Sequence, residues 1–168
     1  MYVIGIVGWK NAGKTTLLTR LLSALATQGV SVSTIKHTHH AVDLDQPGKD
    51  SFRHRAAGAQ EVMLVSDARM ALLREWRGMP QPKLDDLLAR LAPVDIVLIE
   101  GFKSWPHDKI EIHRTASGGD VIARSDPTVK ALVTDRTFDR LDVPQFDLDD
   151  VEPLARFVLR RAGLPTEG

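Results

Sequence analysis

The most informative stretch of the sequence is residues 8–15, GWKNAGKT, which fit the phosphate-binding pattern G-x-x-x-x-G-K-[ST] at every position. In such a loop, backbone N–H groups point at phosphate oxygens, and glycine is required where a Cβ would block the approach or where φ is positive. The lysine reaches the β- and γ-phosphates of a nucleotide, and the neighbouring hydroxyl binds Mg²⁺. We therefore predict that Lys14 and Thr15 bind a nucleoside triphosphate and its Mg²⁺. The predicted nucleotide-binding residues of this segment are Gly8, Asn11, Ala12, Gly13, Lys14, Thr15 and Thr16.

The segments on either side of this phosphate loop (residues 8–15) are those that the motif requires. The apolar residues 2–7 predict a strand, and leucines at helical spacing predict a helix directly after the loop. The N-terminus of that helix adds the positive end of its dipole to the phosphate site. The alternative is a glycine-rich turn that joins strand and helix and binds nothing. Since glycine makes up only about 7 % of average sequences, chance rarely produces the complete motif.

Composition limits the classes of function. The chain has 168 residues, with 22 Lys+Arg against 22 Asp+Glu, and no cysteine. The zero net charge argues against a sequence-independent nucleic-acid binder, and the lack of cysteine excludes disulfides, thiolate catalysis and Cys-based zinc sites. No apolar run approaches the roughly 18 residues that span a bilayer, so we expect no membrane segment and a cytoplasmic location. Residues 1–168 suit a single P-loop nucleotide-binding domain.

Strand and helix patterns alternate along the chain. Further strands are predicted at residues 30–36, 61–66, 69–74, 95–99, 109–114 and 129–133. Charged and apolar residues alternate in 109–114, which predicts a half-exposed strand. Together with the phosphate loop, the order of elements predicts an α/β fold of the P-loop NTPase type: a doubly wound, mostly parallel sheet with helices on both faces. Ligands of such sheets bind at the carboxyl ends of the strands.

A second functional segment follows the buried strand predicted at residues 95–99. Glu100 comes directly after this strand, and a hydrophobic strand that ends in an acid is typical of a Walker B element. Such an acid holds Mg²⁺ or orients the attacking water, so Glu100 is the predicted catalytic residue and, with Thr15, a predicted Mg²⁺ ligand. Gly101 would let the backbone approach the γ-phosphate. The alternative is a solvated carboxylate at a strand end.

Histidines are concentrated in the third segment, residues 36–40 (KHTHH), which holds three of the six histidines in the chain. We predict that Lys36, His37, His39 and His40 contribute to ligand binding at the mouth of the sheet. Three roles stay open for the imidazoles: binding a metal ion, receiving an anionic second ligand or partner, and forming a structural polar cluster with nearby aspartates.

Five ordered motifs lie within residues 8–103, a span of a little over half of the chain: GWKNAGKTT at 8–16, KHTHH at 36–40, GKDSxR at 48–53, AGA at 57–59 and DIVLIEGFK at 95–103. In these motifs the chain resembles the molybdopterin-guanine dinucleotide biosynthesis adaptor protein B (MobB) family of P-loop proteins. Members of this family are GTP-binding homodimers with weak GTPase activity. They assist the nucleotidyltransferase that joins GMP to molybdopterin.

The resemblance implies GTP and Mg²⁺ as cofactors. It also implies three partners: the nucleotidyltransferase, the molybdopterin cofactor and a second copy of the chain. In the matching positions, Gly8, Gly13, Lys14 and Thr15 would hold the GTP phosphates and Mg²⁺. Glu100 would be the Walker B acid. The group of His37, His39 and His40 would lie beside the γ-phosphate or the incoming cofactor.

Guanine selection has one candidate residue, Asp135, which follows the strand predicted at 129–133. An aspartate at the end of a late strand can accept hydrogen bonds from both N1–H and the exocyclic amine of guanine, a donor pair that adenine lacks. The sequence Thr134-Asp135 lacks the full N/T-K-x-D pattern. The alternative is an ordinary turn-forming aspartate.

Two other classes of function remain alternatives. A small-molecule kinase would use the same loop with Arg114 and Arg124 and a closing lid at residues 115–120, and a metal-centre maturation GTPase would deliver a metal through the histidines. No arginine finger can be assigned from the motifs, and such a group is worth about 10³–10⁵ in rate, so we expect at most slow GTP hydrolysis. We expect a homodimer paired through the sheet edges at 69–74 and 109–113.

Overall fold

A computed structural model of the protein describes residues 1–38 and 42–166. The chain divides into two compact units, one of Met1–His37 with Leu91–Gly168 and one of Thr38–Arg90. In the described residues the strands are β1 (Tyr2–Val7), β2 (Val32–Lys36), β3 (Glu61–Val65), β4 (Met70–Arg74), β5 (Ile96–Glu100), β6 (Asp108–His113), β7 (Val129–Thr134) and β8 (Gln145–Asp147). The α-helices are α1 (Lys14–Thr27), α2 (Asp50–Ala56), α3 (Leu84–Leu88) and α4 (Glu152–Ala162), and 3₁₀ helices form at Thr115–Ser117 and Ile122–Arg124.

The first unit is built on a six-stranded sheet in the order β2-β5-β1-β6-β7-β8. Every strand pair in this sheet is parallel. β1 therefore occupies a central position, with the strand that ends in Glu100 on one side and β6 on the other. This order brings the phosphate loop and Glu100 to the same edge, because parallel strands end on the same side of a sheet.

The core of this unit lies between the sheet and two helices. Leu17, Leu21 and Leu25 recur at i, i+4 and i+8 on α1 and are buried together with apolar residues of α4 and of the four central strands. On β6, the residues that face these helices are Ile110 and Ile112. Since side chains alternate along a strand, the polar residues between them face the opposite side of the sheet.

The prediction that residues 109–114 form a half-exposed edge strand is wrong. β6 lies between β1 and β7, and Lys109, Glu111 and His113 are 2 %, 0 % and 4 % exposed. A homodimer cannot pair through this strand, because both of its edges are already paired.

Specific partners explain how these charged side chains can be buried. The Lys109 Nζ donates to Asp126 at 3.2 Å and to the Thr128 hydroxyl at 2.6 Å. The Glu111 carboxylate accepts two backbone N–H groups of the 3₁₀ helix Ile122–Arg124, each at 2.8 Å. Alternating polarity in β6 therefore marks polar packing against that 3₁₀ segment, and not exposure to solvent.

The second unit contains α2, α3 and an antiparallel hairpin of β3 and β4, whose strands were predicted at residues 61–66 and 69–74. Arg55 on α2 connects three segments of this unit. Its guanidinium lies 2.7 Å from Asp43, 3.6 Å from Asp45 and 2.8 Å from Glu75, and its side chain is 18 % exposed. The Arg55 guanidinium therefore holds the segment that contains Asp43 and Asp45 and the segment that contains Glu75 next to α2.

Within the described residues, no helix is long and apolar enough to cross a membrane.

Candidate nucleotide site

The phosphate loop needs glycine at two positions for two different reasons. A Cβ on Gly8 would lie 2.4 Å from the carbonyl oxygen of Ile112 on β6, so the backbone passes too close for any side chain. Gly13 adopts the left-handed conformation (φ 98°) directly before α1. Because glycine has no side chain, the N-terminus of α1 has no side-chain cap. The first turn of α1 also contains no acidic residue. The first N–H groups of α1 therefore favour an anion.

Lys14 spans the loop that precedes it. Its ammonium donates to the carbonyl oxygens of Gly8 at 3.1 Å and Trp9 at 2.8 Å. Burial and then the neighbouring charge of Lys103 lower the pKa of Lys14, while the carboxylate of Glu100 opposes the shift. The ammonium is thus held over the loop, in surroundings that already carry excess positive charge.

The two predicted Mg²⁺ ligands meet in the structure. The Thr15 hydroxyl lies 3.2 Å from each carboxylate oxygen of Glu100. Lys36 is paired in register with Glu100 across β2 and β5, and its Nζ lies 3.6 Å from the carboxylate. A hydroxyl and a carboxylate are the hard oxygen donors that Mg²⁺ prefers, so the pair fits this ion. In the described part of the chain, no group of three or more His, Cys, Asp or Glu residues could hold a metal by itself.

His37 is packed against the turn that follows Glu100. Its backbone N–H donates to the Glu100 carbonyl at 2.8 Å, and its ring stacks on Phe102 with 4.3 Å between centroids. A Cβ on Gly101 (φ 108°) would lie 2.8 Å from the Cβ of His37, so glycine allows this close approach. The other two predicted imidazoles, His39 and His40, lie outside the described residues.

Asp135 follows β7 at the ligand edge of the sheet, where the guanine prediction requires it. Its carboxylate accepts the backbone N–H of Thr115 at 3.0 and 3.1 Å and the Thr115 hydroxyl at 2.9 Å. The backbone hydrogen bond from Thr115 is the largest cause that lowers the pKa of Asp135. The carboxylate therefore already stabilises the start of a 3₁₀ helix, and a bound guanine would compete with these donors.

Sequence reasoning missed the residues that hold the segment after β6 against the phosphate loop. The Arg114 Nε donates to the Ala12 carbonyl at 3.1 Å, and the Trp9 indole donates to the Asp120 carbonyl at 2.8 Å. A Cβ on Gly119 would lie 2.5 Å from the Trp9 ring. The available signal was the pair Gly118-Gly119, because adjacent glycines allow a backbone to lie flat against an aromatic ring.

The chain is similar to known proteins over most of its length. The family model for molybdopterin guanine dinucleotide synthesis protein B matches residues 3–135. A molybdopterin-guanine dinucleotide biosynthesis adapter protein of Escherichia coli (strain K12) is 39% identical over 163 residues, which cover 94% of this chain and 91% of its own. The adapter protein of Haemophilus influenzae is 36% identical over 159 residues, covering 93% and 86%.

A solved structure has the same architecture. The crystal structure of Bacillus subtilis MobB superposes with a TM-score of 0.74 at 26% identity, covering 99% of this chain and 100% of that one. The predicted α/β fold with a mostly parallel sheet is confirmed by this likeness and by the strand order.

Proposed function

Because the chain belongs to the molybdopterin guanine dinucleotide synthesis protein B family, we propose that it is a GTP-binding adapter in the biosynthesis of that dinucleotide. Family membership confirms the resemblance drawn from the motifs. The observation that carries the nucleotide part of the proposal is the convergence of Lys14, Thr15 and Glu100, with the Thr15 hydroxyl 3.2 Å from both carboxylate oxygens.

Charge at the site supports a bound triphosphate. Burial is the largest cause that lowers the pKa of Lys14, the charges of Lys103 and Lys36 lower it further, and only the charge of Glu100 opposes them. A triphosphate supplies the missing negative charge, with the N–H groups at the start of α1 and the Lys14 ammonium as its donors. Thr15 and Glu100 would hold Mg²⁺, which neutralises charge on the β- and γ-phosphate oxygens when bound. Lys36 then keeps the Glu100 carboxylate in place.

The position of Arg114 is consistent with slow GTP hydrolysis. Arg114 donates its Nε to the Ala12 carbonyl, so this contact directs the guanidinium at the protein backbone. An adapter needs the nucleotide as a structural signal or as cargo for the partner nucleotidyltransferase, and both uses are compatible with slow hydrolysis.

The proposal includes a homodimer formed through the hairpin. Met63 pairs with Leu72 and Val65 with Met70, so these side chains share one face of a two-stranded sheet. They are 46–72 % exposed: Met63 55 %, Leu72 46 %, Val65 72 % and Met70 64 %. An exposed apolar face on a two-stranded sheet is stabilised when a second copy covers it.

Calorimetry with GTP and Mg²⁺ tests the nucleotide site. Lys14→Ala and Thr15→Ala should nearly abolish binding, because each removes a charge-assisted contact to phosphate or Mg²⁺. Thr27→Ala is the matched control: Thr27 lies at the far end of α1 and donates to the carbonyl four residues back at 2.9 Å. Unchanged GTP affinity in Lys14→Ala contradicts the proposal. Transfer of phosphate to a small acceptor in place of slow hydrolysis favours the kinase alternative.

A further inference from the structure

A cavity of about 470 Å³ opens beside the carboxyl ends of β6 and β7, and its walls include His113, Arg124, Arg136 and Phe138. His113 alternates with Ile112, and Ile112 belongs to the core that contains α1 and α4. The cavity is therefore on the other face of the sheet from α1, whose N-terminus forms the triphosphate site. Its volume lies within the range of about 300–1,000 Å³ that small-molecule sites occupy.

Two guanidinium groups line the cavity and, beside the single carboxylate of Asp120, give it a net positive charge. Within the described residues, neither Arg124 nor Arg136 forms an ion pair with a carboxylate. Arg124 makes one long hydrogen bond, 3.5 Å, to the Asp139 carbonyl. Arg136 lies over the Phe138 ring, 4.5 Å from its centroid. A guanidinium stacked in this way keeps its N–H groups directed outward at the ring edge, where they can bind an oxyanion.

A buried imidazole forms the inner wall. His113 is 4 % exposed, and its Nδ1 has no hydrogen-bond partner. The ring meets Phe138 edge to face, with 5.1 Å between centroids. An unpaired polar atom at this depth costs free energy that a ligand group can recover. The two rings are nearly perpendicular (85°), so a planar molecule that stacks on one of them meets the edge of the other.

The remaining walls restrict the class of ligand. Asp120 brings a carboxylate to the same cavity, and Val121 brings an apolar side chain. A nucleic-acid or polyphosphate site would carry positive charge throughout, whereas this cavity combines two arginines with one carboxylate. It suits a molecule with a single anionic group and a planar body.

From these contacts we infer that the cavity is a second ligand site for a small organic phosphate with a planar ring, separate from the triphosphate site. Arg124 and Arg136 bind the phosphate, and the ring lies against Phe138 and His113. This inference goes beyond the proposed function, because nothing in the binding of GTP by the phosphate loop requires a second cavity.

Phenyl phosphate is a suitable probe, because it combines one phosphate with one planar ring. We expect 1:1 binding by calorimetry to the full chain saturated with GTP and Mg²⁺, and equal binding to Lys14→Ala without nucleotide. Arg124→Ala and Arg136→Ala should each weaken the probe at least tenfold while GTP affinity stays unchanged. Arg160→Ala is the matched control, since Arg160 is an exposed arginine near the end of α4.

Four results would overturn the inference. Absence of saturable binding, or equal affinity in Arg136→Ala and the parent, excludes the site. Displacement of the probe by GTP places it in the phosphate loop. Inorganic phosphate that binds as tightly as phenyl phosphate removes the role of the ring. Loss of GTP binding in Lys14→Ala with retained probe binding separates this inference from the proposed function, and melting temperatures establish that each variant folds.

Discussion

Two carboxylates, Glu100 and Asp135, each follow a buried parallel strand at the ligand edge of the sheet, but their surroundings differ. The Glu100 side chain is 14 % exposed, and its carboxylate has two long contacts, to the Thr15 hydroxyl at 3.2 Å and to the Lys36 ammonium at 3.6 Å. Such long contacts are easily exchanged for a bound ion. Asp135 is exposed and accepts hydrogen bonds from the backbone and side chain of Thr115.

The difference shows that a position at the end of a strand does not by itself determine whether a carboxylate binds a ligand or stabilises a turn. Glu100 lies beside the phosphate loop because β5 pairs directly with β1. Asp135 follows β7, which is separated from β1 by β6, and Thr115 in the segment after β6 donates to its carboxylate. The same pattern in the sequence therefore gives one carboxylate facing a ligand site and one that already stabilises a turn.

Of the two carboxylates, Glu100 has the larger expected effect. Glu100→Gln keeps the shape of the side chain and removes its charge, so it should weaken GTP binding in the presence of Mg²⁺ by roughly tenfold or more, about 1.4 kcal/mol. Binding in EDTA should change little, because the effect acts through the ion. Calorimetry with and without Mg²⁺ measures both. Equal losses in the two conditions would remove Glu100 from the Mg²⁺ site.

Asp135 gives the next test, since it separates the two roles of the carboxylate. Asp135→Ala should lower the free energy of unfolding by about 1 kcal/mol, because the N–H of Thr115 loses its acceptor. If Asp135 also selects guanine, the preference for GTP over ATP should fall at least tenfold. Urea unfolding and paired calorimetry decide between the roles. If the variant is destabilised but its preference for GTP over ATP is unchanged, the Asp135 carboxylate only stabilises the turn at Thr115.

The same comparison shows what the sequence could predict. The phosphate loop, β5 and Glu100 were predictable because a complete local motif and a continuous apolar strand specify them. β6 was misjudged, since Lys109 and Glu111 read as solvent-facing until their partners at 122–128 are known. The short β8 (Gln145–Asp147) was missed because three residues carry too little periodicity to be recognised. The error at β6 therefore comes from long-range pairing, which a single sequence does not display, and the error at β8 from the shortness of the strand.

The histidine segment is expected to have a smaller effect on the nucleotide. Replacing His37 and His39 with alanine should leave GTP affinity within several-fold of the parent, because the loop and Mg²⁺ neutralise most of the triphosphate charge. The variant should lose its effect on guanine-dinucleotide formation when it is mixed with the nucleotidyltransferase. A tenfold fall in affinity for GTP but not GDP would instead place the imidazoles at the γ-phosphate. A lower melting temperature that a chelator reproduces would assign them to a metal.

The smallest effect is expected at the opposite, amino-terminal end of β6, where a group serves stability alone. Both ring nitrogens of His107 are buried without hydrogen-bond partners, and a Cβ on Gly5 would lie 2.5 Å from its Nε2. Burial, and then the charge of Lys109, lower the pKa of His107 from its usual 6.5. Below pH 6.5 the unfolded chain takes up this proton while the folded chain does not. Stability is therefore fully present above that pH and is lost as pH falls toward the folded pKa.

His107→Leu removes this titration and keeps an apolar side chain against Gly5. Between pH 7.5 and 5, urea unfolding should show a smaller fall in stability for the variant than for the parent, and the two slopes should agree above pH 7. Asp108 and Asp126 have pKa values below their usual 3.8 and stay ionised throughout this range, so they do not contribute to the difference. The other histidines are shared by both proteins and cancel. Parallel pH profiles would show that the pKa of His107 is the same in the folded and unfolded chains, in contrast to the buried, unpaired ring that the structure contains.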